Sequence, residues 1–397
     1  MDKNLLLHLS LIPGVGPATV EKLIQVLLET TQKNDQKNLY TWELCDFLRH
    51  GISEKNAELL IVGLKDDILL NQELTLIKEY HVNWVTLLDD EYPALLKTIH
   101  LPPLILYWWG PLTTVLKNKR TVALVGARKA NEYGKRVVNL LVPDLVAAGC
   151  VTMSGGAYGI DEYTHDTTIK CGGSTVVILG SGLLNLYPSG NKKLFEAVLK
   201  SGSVLLSSFP LLMEPLPGNF PARNRIIAGL SEMTVVVQAA QKSGALITAR
   251  YALDQGRLVG AVPGAIDDEL STGPHALLRS GARLVGSIED IFDELGACDF
   301  KKSFDTLIEN STDSAQKKAQ LSCFNPAVVL QKPAINNHVV EELKISDPVL
   351  YACRSPKGVD ELLKELKIQE IELKDRLFML QLEGKVEQNF AGLWYKV

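Results

Sequence analysis

Cysteine is sparse and scattered: Cys45, Cys150, Cys171, Cys298, Cys323 and Cys353 are the six among 397 residues. None forms a C-x-x-C pair, so neither a zinc site nor a disulfide framework is indicated. A reducing compartment is the simplest setting. No stretch reaches the ~18 uninterrupted apolar residues that would span a bilayer. The opening Met1-Asp2-Lys3-Asn4-Leu5-Leu6-Leu7-His8 mimics a signal peptide. His8 and Pro13-Gly14-Val15-Gly16 break it, however, and no A-x-A site follows. Cytoplasmic residence without membrane attachment is therefore expected. A surplus of positive charge is also missing, with 41 Lys and Arg against 46 Asp and Glu. That excludes a polycation that grips nucleic acid by bulk charge, and any such site must be a local patch.

Several catalytic signatures are absent too. There is no G-x-x-x-x-G-K-[ST] loop, no G-x-G-x-x-G after the first strand of the central region, no G-x-S-x-G elbow and no H-E-x-x-H pair. P-loop hydrolysis, dinucleotide binding, serine-elbow catalysis and zinc proteolysis thus lose their usual markers, and no cofactor or metal is expected. What remains is ordinary globular composition, 46% apolar and 22% charged. A chain of this length holds about two to four domains.

Four stretches follow one another. Residues 1–110 read as mostly helical: Leu23, Ile24, Leu27 and Leu28 keep the 3.6-residue period, and 58–70 and 73–80 look like further helices. Pro102-Pro103 and Gly110-Pro111 mark a boundary. Residues 111–295 change character. Runs at 121–125, 151–153, 174–179, 203–207, 233–237 and 258–261 read as six strands, with helical segments such as 134–148 and 192–200 between them. They lack strict polar alternation, as strands buried on both faces do. The alternation implies an α/β fold with a Rossmann-like, doubly wound, mostly parallel sheet. Residues 296–340 are polar and rich in Ser, Asn and Gln and read as a linker. Residues 341–397 suggest three helices (349–353, 359–366 and 370–382) and a terminal hairpin (385–388 with 393–396), a winged-helix-like unit.

Candidate chemistry collects at strand ends. The first strand of the sheet runs into Val125-Gly126-Ala127-Arg128, where open backbone, a following helix start and a guanidinium suit a phosphate. The alternative is a tight turn with a solvated arginine. The second ends in Ser154-Gly155-Gly156-Ala157-Tyr158-Gly159-Ile160-Asp161, whose glycines either open the backbone or pack closely. Asp161 and His165 lie one helical turn apart and serve either as an acid/base or metal pair or as structural supports. In Phe220-Pro221-Ala222-Arg223-Asn224-Arg225, two arginines flank an asparagine at a helix start. Arg223 and Arg225 can fork onto phosphate, and Phe220 can stack on a base or fill core. Lys242-Ser243-Gly244 offers a charge and a helix cap.

Residues 120–295 balance 16 basic against 16 acidic side chains. Yet Arg128, Lys192, Lys193, Arg223, Arg225 and Lys242 all fall in turns or helix starts expected at one sheet edge, which fits a groove for a phosphate chain. At the start of the chain, Leu11-Ile12-Pro13-Gly14-Val15-Gly16-Pro17 resembles a helix–hairpin–helix. Such hairpins either touch phosphates through backbone N–H groups or serve only in packing.

The order of these motifs resembles the DprA/Smf DNA-processing family. The matching elements are Val125-Gly126-Ala127-Arg128, Ser154 through Asp161, His165, Gly172-Gly173, Leu179-Gly180-Ser181-Gly182 with Tyr187-Pro188, Phe220 through Ser231, Ser243 through Ala249, Val262-Pro263-Gly264 and Gly281-Ala282. The resemblance is dense over 120–295 and looser towards both ends. It implies a non-enzymatic protein that binds single-stranded DNA without sequence preference, protects incoming strands during natural transformation and loads RecA recombinase onto them. It also implies homodimers through the Rossmann-like domain. Carried over by position, Arg128 would bind phosphate and Gly126, Ser154 and Gly155 would supply anion-binding backbone. Arg223, Asn224, Arg225, Lys242 and Ser243 would line a basic groove. Ala127, Thr164, Ser208 and His275 depart from residues usual in the family. The competing reading is a Rossmann-like phosphoribohydrolase, whose signature glutamate has no counterpart in Ala240-Gln241-Lys242-Ser243-Gly244. The segment 370–382 is too acidic to serve as a DNA recognition helix, and a protein-interaction role suits it better.

Overall fold

Short apolar runs rich in valine, leucine and isoleucine pair side by side because each buries both faces. A computed structural model of the chain describes residues 2–29 and 39–296, then 352, 361–363, 373, 377, 386–388 and 394–396. Nine strands form one sheet: β1 (Asn83–Thr86), β2 (Ile105–Trp109), β3 (Thr121–Gly126), β4 (Val151–Ser154), β5 (Thr175–Ile178), β6 (Val204–Ser207), β7 (Met233–Gln238), β8 (Leu258–Ala261) and β9 (Arg283–Leu284). Their order is β1-β2-β6-β5-β4-β3-β7-β8-β9. From β6 to β9 all neighbours are parallel. β1 and β2 are antiparallel to each other, and β2 is antiparallel to β6.

In β3 the side chains alternate between two cores. Val122 and Leu124 pack with Val138, Leu141 and Leu145 of the Glu132–Ala147 helix. Ala123 and Val125 pack with Ile226, Ile227 and Ala249 from the Asn219–Leu230 and Gly244–Asp254 helices. Helices thus cover both faces, the doubly wound arrangement. The chain builds outward from β3 to β6, then crosses back along the Asn219–Leu230 helix to place β7 on the other side of β3. That reversal makes the carboxyl ends of β3 and its neighbours the rim where such folds take ligands.

The first 110 residues are not wholly helical. Helices occupy Lys3–Leu11, Pro17–Glu29, Leu44–Arg49, Glu54–Lys65 and Ile68–Glu79, but β1 and β2 join the central sheet. All five residues of β2 are buried, and Trp109 donates its indole N–H to the Tyr80 carbonyl at 3.1 Å. Lys3 guards the β1 edge. Its ammonium donates to the Trp84 carbonyl at 2.8 Å, lies 4.1 Å from the Trp84 ring centre and pairs with Asp89 at 3.4 Å. Gly14 adopts φ +81° between the first two helices, the left-handed geometry their connection needs.

Two compact units divide the chain, Met1–Leu330 and Gln331–Val397. In the second, β10 (Val386–Gln388) and β11 (Trp394–Lys396) pair antiparallel, where the hairpin is expected. The expected linker lies outside the described residues apart from Gly296. The three expected helices lie mostly outside them as well.

Candidate nucleic-acid interface

Arg223 organises the rim. It sits one turn into the Asn219–Leu230 helix, is only 5% exposed and donates to the carbonyls of Gly155 and Ile178. The guanidinium therefore bridges the carboxyl ends of β4 and β5. Its counter-charge is Asp161, also buried, whose carboxylate accepts from the Gly155 N–H at 3.1 Å and the Ala157 N–H at 3.4 Å. Burial pushes the Arg223 guanidinium down to about 10, with Asp161 opposing the shift and nearby Arg128 adding to it. Arg223 therefore stays charged at neutral pH. Burial raises the Asp161 carboxyl, and Arg223 and the two amides pull it back. Gly155 has no side chain because a Cβ there would occupy the guanidinium of Arg223.

Arg128 lies exposed beyond the end of β3. Its guanidinium carbon stands 5.6 Å from the Phe220 ring centre, within cation–π range. Phe220 is half-buried against Gly180, and its ring lies 5.6 Å from that of Tyr187. A narrow cleft of about 60 Å³ opens between these groups, lined by Arg128, Gly155, Ala157, Tyr158, Tyr187, Pro188, Phe220 and Arg223. Tyr158 and Tyr187 present exposed faces, 45% and 41% accessible. Two cations and three aromatic rings at one opening suit an anionic chain that carries stackable bases.

The remaining candidates lie elsewhere. Arg225 is two residues from Arg223, and positions two apart on a helix face different ways. Its guanidinium donates to the carbonyls of Leu101 and His100 and fastens the helix to that loop. Gly126 packs closely on its Cα side, where a Cβ would meet Ile160 and the Gln238 carbonyl, and it is outside the cleft lining. Ser154 is buried and donates its hydroxyl to the Leu124 carbonyl at 2.7 Å. The N–H of Gly155 is engaged by Asp161. Ser243 caps the Gly244–Asp254 helix by accepting from Ala245, and Asn224 donates to the Gly244 carbonyl at 3.2 Å. Lys192, Lys193 and Lys242 are exposed, outside the cleft lining.

His165 is fully buried, with Nδ1 2.7 Å from the Thr175 hydroxyl. Burial, then Arg223, pushes its imidazole down to about 3, so it is neutral and supports the core. Thr164 donates to the Ile160 carbonyl, and His275 contacts the Gly264 carbonyl through Nε2 at 3.1 Å. Both departures from the family pattern thus have local partners.

Tyr158 and Tyr187 stand inside the 154–161 and 179–188 motifs, but nothing in the sequence marks them as aromatic walls. Nor does anything there mark Gln238 and Asn131, which carry no charge. Among the described residues no group of three or more His, Cys, Asp and Glu could hold a metal, and no helix is long and apolar enough to cross a membrane.

Fold and site together define a doubly wound α/β protein with an arginine–aromatic cleft at its sheet rim. Residues 83–296 match the DNA recombination-mediator protein A family, and the chain belongs to that DNA-processing family. It is 41% identical over 226 residues to the DNA processing protein DprA of Bacillus subtilis, covering 57% of this chain and 75% of that protein. It is 36% identical over 292 residues to Protein Smf of Synechocystis, covering 72% and 71%. The X-ray structure of DNA processing protein A from Streptococcus pneumoniae superposes with a TM-score of 0.64 at 31% identity, over 74% of this chain and 98% of that one.

Proposed function

We propose that this chain binds single-stranded DNA without sequence preference and delivers it to RecA recombinase during natural transformation. One observation carries the reading: Arg128 and Arg223 share a cleft with Phe220, Tyr158 and Tyr187. The exposed guanidinium of Arg128 takes phosphates of any sequence, buried Arg223 adds positive charge behind it, and aromatic faces stack on any base. The recombination-mediator family description supports the RecA partner. A homodimer through the Rossmann-like domain belongs to the same reading. Exposed Ile266 and Leu284 at the β8–β9 end supply apolar surface for it. The β10–β11 pair supports a wing in the C-terminal unit, and the Gly14 turn a helix–hairpin–helix at the start. No cleft-lining residue is acidic, which disfavours the phosphoribohydrolase alternative.

The test is binding of fluorescent oligo-dT across a salt series. Arg128→Ala removes an exposed side chain, so folding is spared. Affinity is expected to fall about tenfold to a hundredfold, and the log–log salt slope to shrink by about 0.7. Unchanged affinity and slope would overturn the reading. Base release from nucleoside monophosphates, lost in Arg128→Ala, would establish the enzyme instead.

A further inference from the structure

The tip that carries Arg128 is only a few residues long, and one buried residue holds both of its ends, the near one through its backbone and the far one through its side-chain amide. We infer that Gln238, at the end of β7, is the positioning residue that presents Arg128 to the cleft. The inference rests on the DNA-binding reading of that cleft.

Gln238 is 1% exposed. Its backbone carbonyl accepts from the Ala127 N–H at 2.7 Å, fixing the near end of the tip. Its side-chain Oε1 accepts from the Asn131 N–H at 3.2 Å, and its Nε2 donates to Asn131 Oδ1 at 2.8 Å, fixing the far end. Asn131 in turn caps the Glu132–Ala147 helix and donates to Asp268 at 3.0 Å. Only Arg128, Lys129 and Ala130 lie between the two anchored residues. The surroundings are shaped for this amide: a Cβ on Gly134 would strike Oε1, and one on Gly126 would strike the Gln238 carbonyl. From the other side Gly159 approaches the carbonyls of Ala127 and Arg128 so closely that it has no room for a Cβ. The same amide fills the space between the ends of β3 and β7. That is the switch-point crevice of a doubly wound sheet, and the ligand opening is displaced towards β4 and β5.

Gln238→Met keeps the side-chain volume and removes only the amide. Two measurements test it in the full chain. Trypsin cleaves after Arg128 and Lys129, both exposed, and release of the tip should speed cleavage there at least several-fold while the thermal midpoint stays near that of the parent. This readout does not depend on DNA. The second is a double-mutant cycle on oligo-dT. Gln238→Met should reproduce most of the Arg128→Ala loss and its reduced salt slope, and combining the two should add little. A merely structural role would give additive losses and an unchanged slope. An unchanged cleavage rate, or additive losses, overturns the inference. If Arg128→Ala itself binds like the parent, the DNA reading fails, while the cleavage assay still decides the role of Gln238 in the tip.

Discussion

Replacing Arg223 with methionine keeps much of the side-chain volume but strips Asp161 of its counter-charge. The carboxylate would retain the Gly155 and Ala157 amides and the Ser154 hydroxyl but no nearby cation, and the carbonyls of Gly155 and Ile178 would lose a shared donor. Asp161 is left charged in a poor solvent with no nearby cation, and two buried carbonyls lose their donor, which together cost about 3–5 kcal/mol. The loss should depend on pH. Burial already raises the Asp161 carboxyl, and without Arg223 it rises further. A carboxyl raised in the folded state binds its proton more tightly there than in the unfolded chain. Its stabilisation is therefore complete below the unfolded value and is lost as pH climbs through the folded one. The deficit of Arg223→Met should be largest near about pH 8 and shrink towards about pH 5. Adding Asp161→Asn should restore much of the stability at the higher pH. Guanidinium unfolding followed by the fluorescence of buried Trp108 and Trp109 measures both effects. A deficit under about 1 kcal/mol, the size for an exposed pair, or one independent of pH, would refute this reasoning.

Two further perturbations test the scaffold. Gly159 has φ +77° and its Cα faces the Ala127 and Arg128 carbonyls, so Gly159→Ala should cost about 1–3 kcal/mol, and an unshifted melting midpoint would contradict this. Glu73 is buried and accepts from the Leu211 N–H at 2.8 Å, and burial raises its carboxyl. A raised carboxyl loses its stabilisation as pH rises, so Glu73→Gln, which keeps that acceptor, should gain about 1 kcal/mol at neutral pH and little in acid. Parallel melting curves at both pH values would count against it.

Much of the sheet could be read from the chain because most of its parallel strands are short apolar runs rich in β-branched residues. The run at 121–125 became Thr121–Gly126, and 258–261 matched Leu258–Ala261. β2 escaped because Ile105-Leu106-Tyr107-Trp108-Trp109 is apolar throughout, and a run without alternation fits helix or strand equally. β9 escaped because its two residues are both exposed and carry no burial pattern. At the site, Arg128, Phe220 and Arg223 were legible because they stand at strand ends or a helix start. Arg225 points away from the cleft towards the His100–Leu101 loop because helical phase, and not adjacency, decides direction. Gly155 looks like open backbone in sequence, but its N–H is engaged by Asp161 and its carbonyl by Arg223, which comes from a distant segment.

Both margins of the sheet are closed to strand addition. At one side Lys3 stands over the outer strand, with its charge on a main-chain oxygen and its stem along an indole ring. At the other, β9 offers only two residues, too few to template a neighbour. Copies of this chain that meet at high local concentration would therefore touch through side chains, where an open edge would invite fibrous growth.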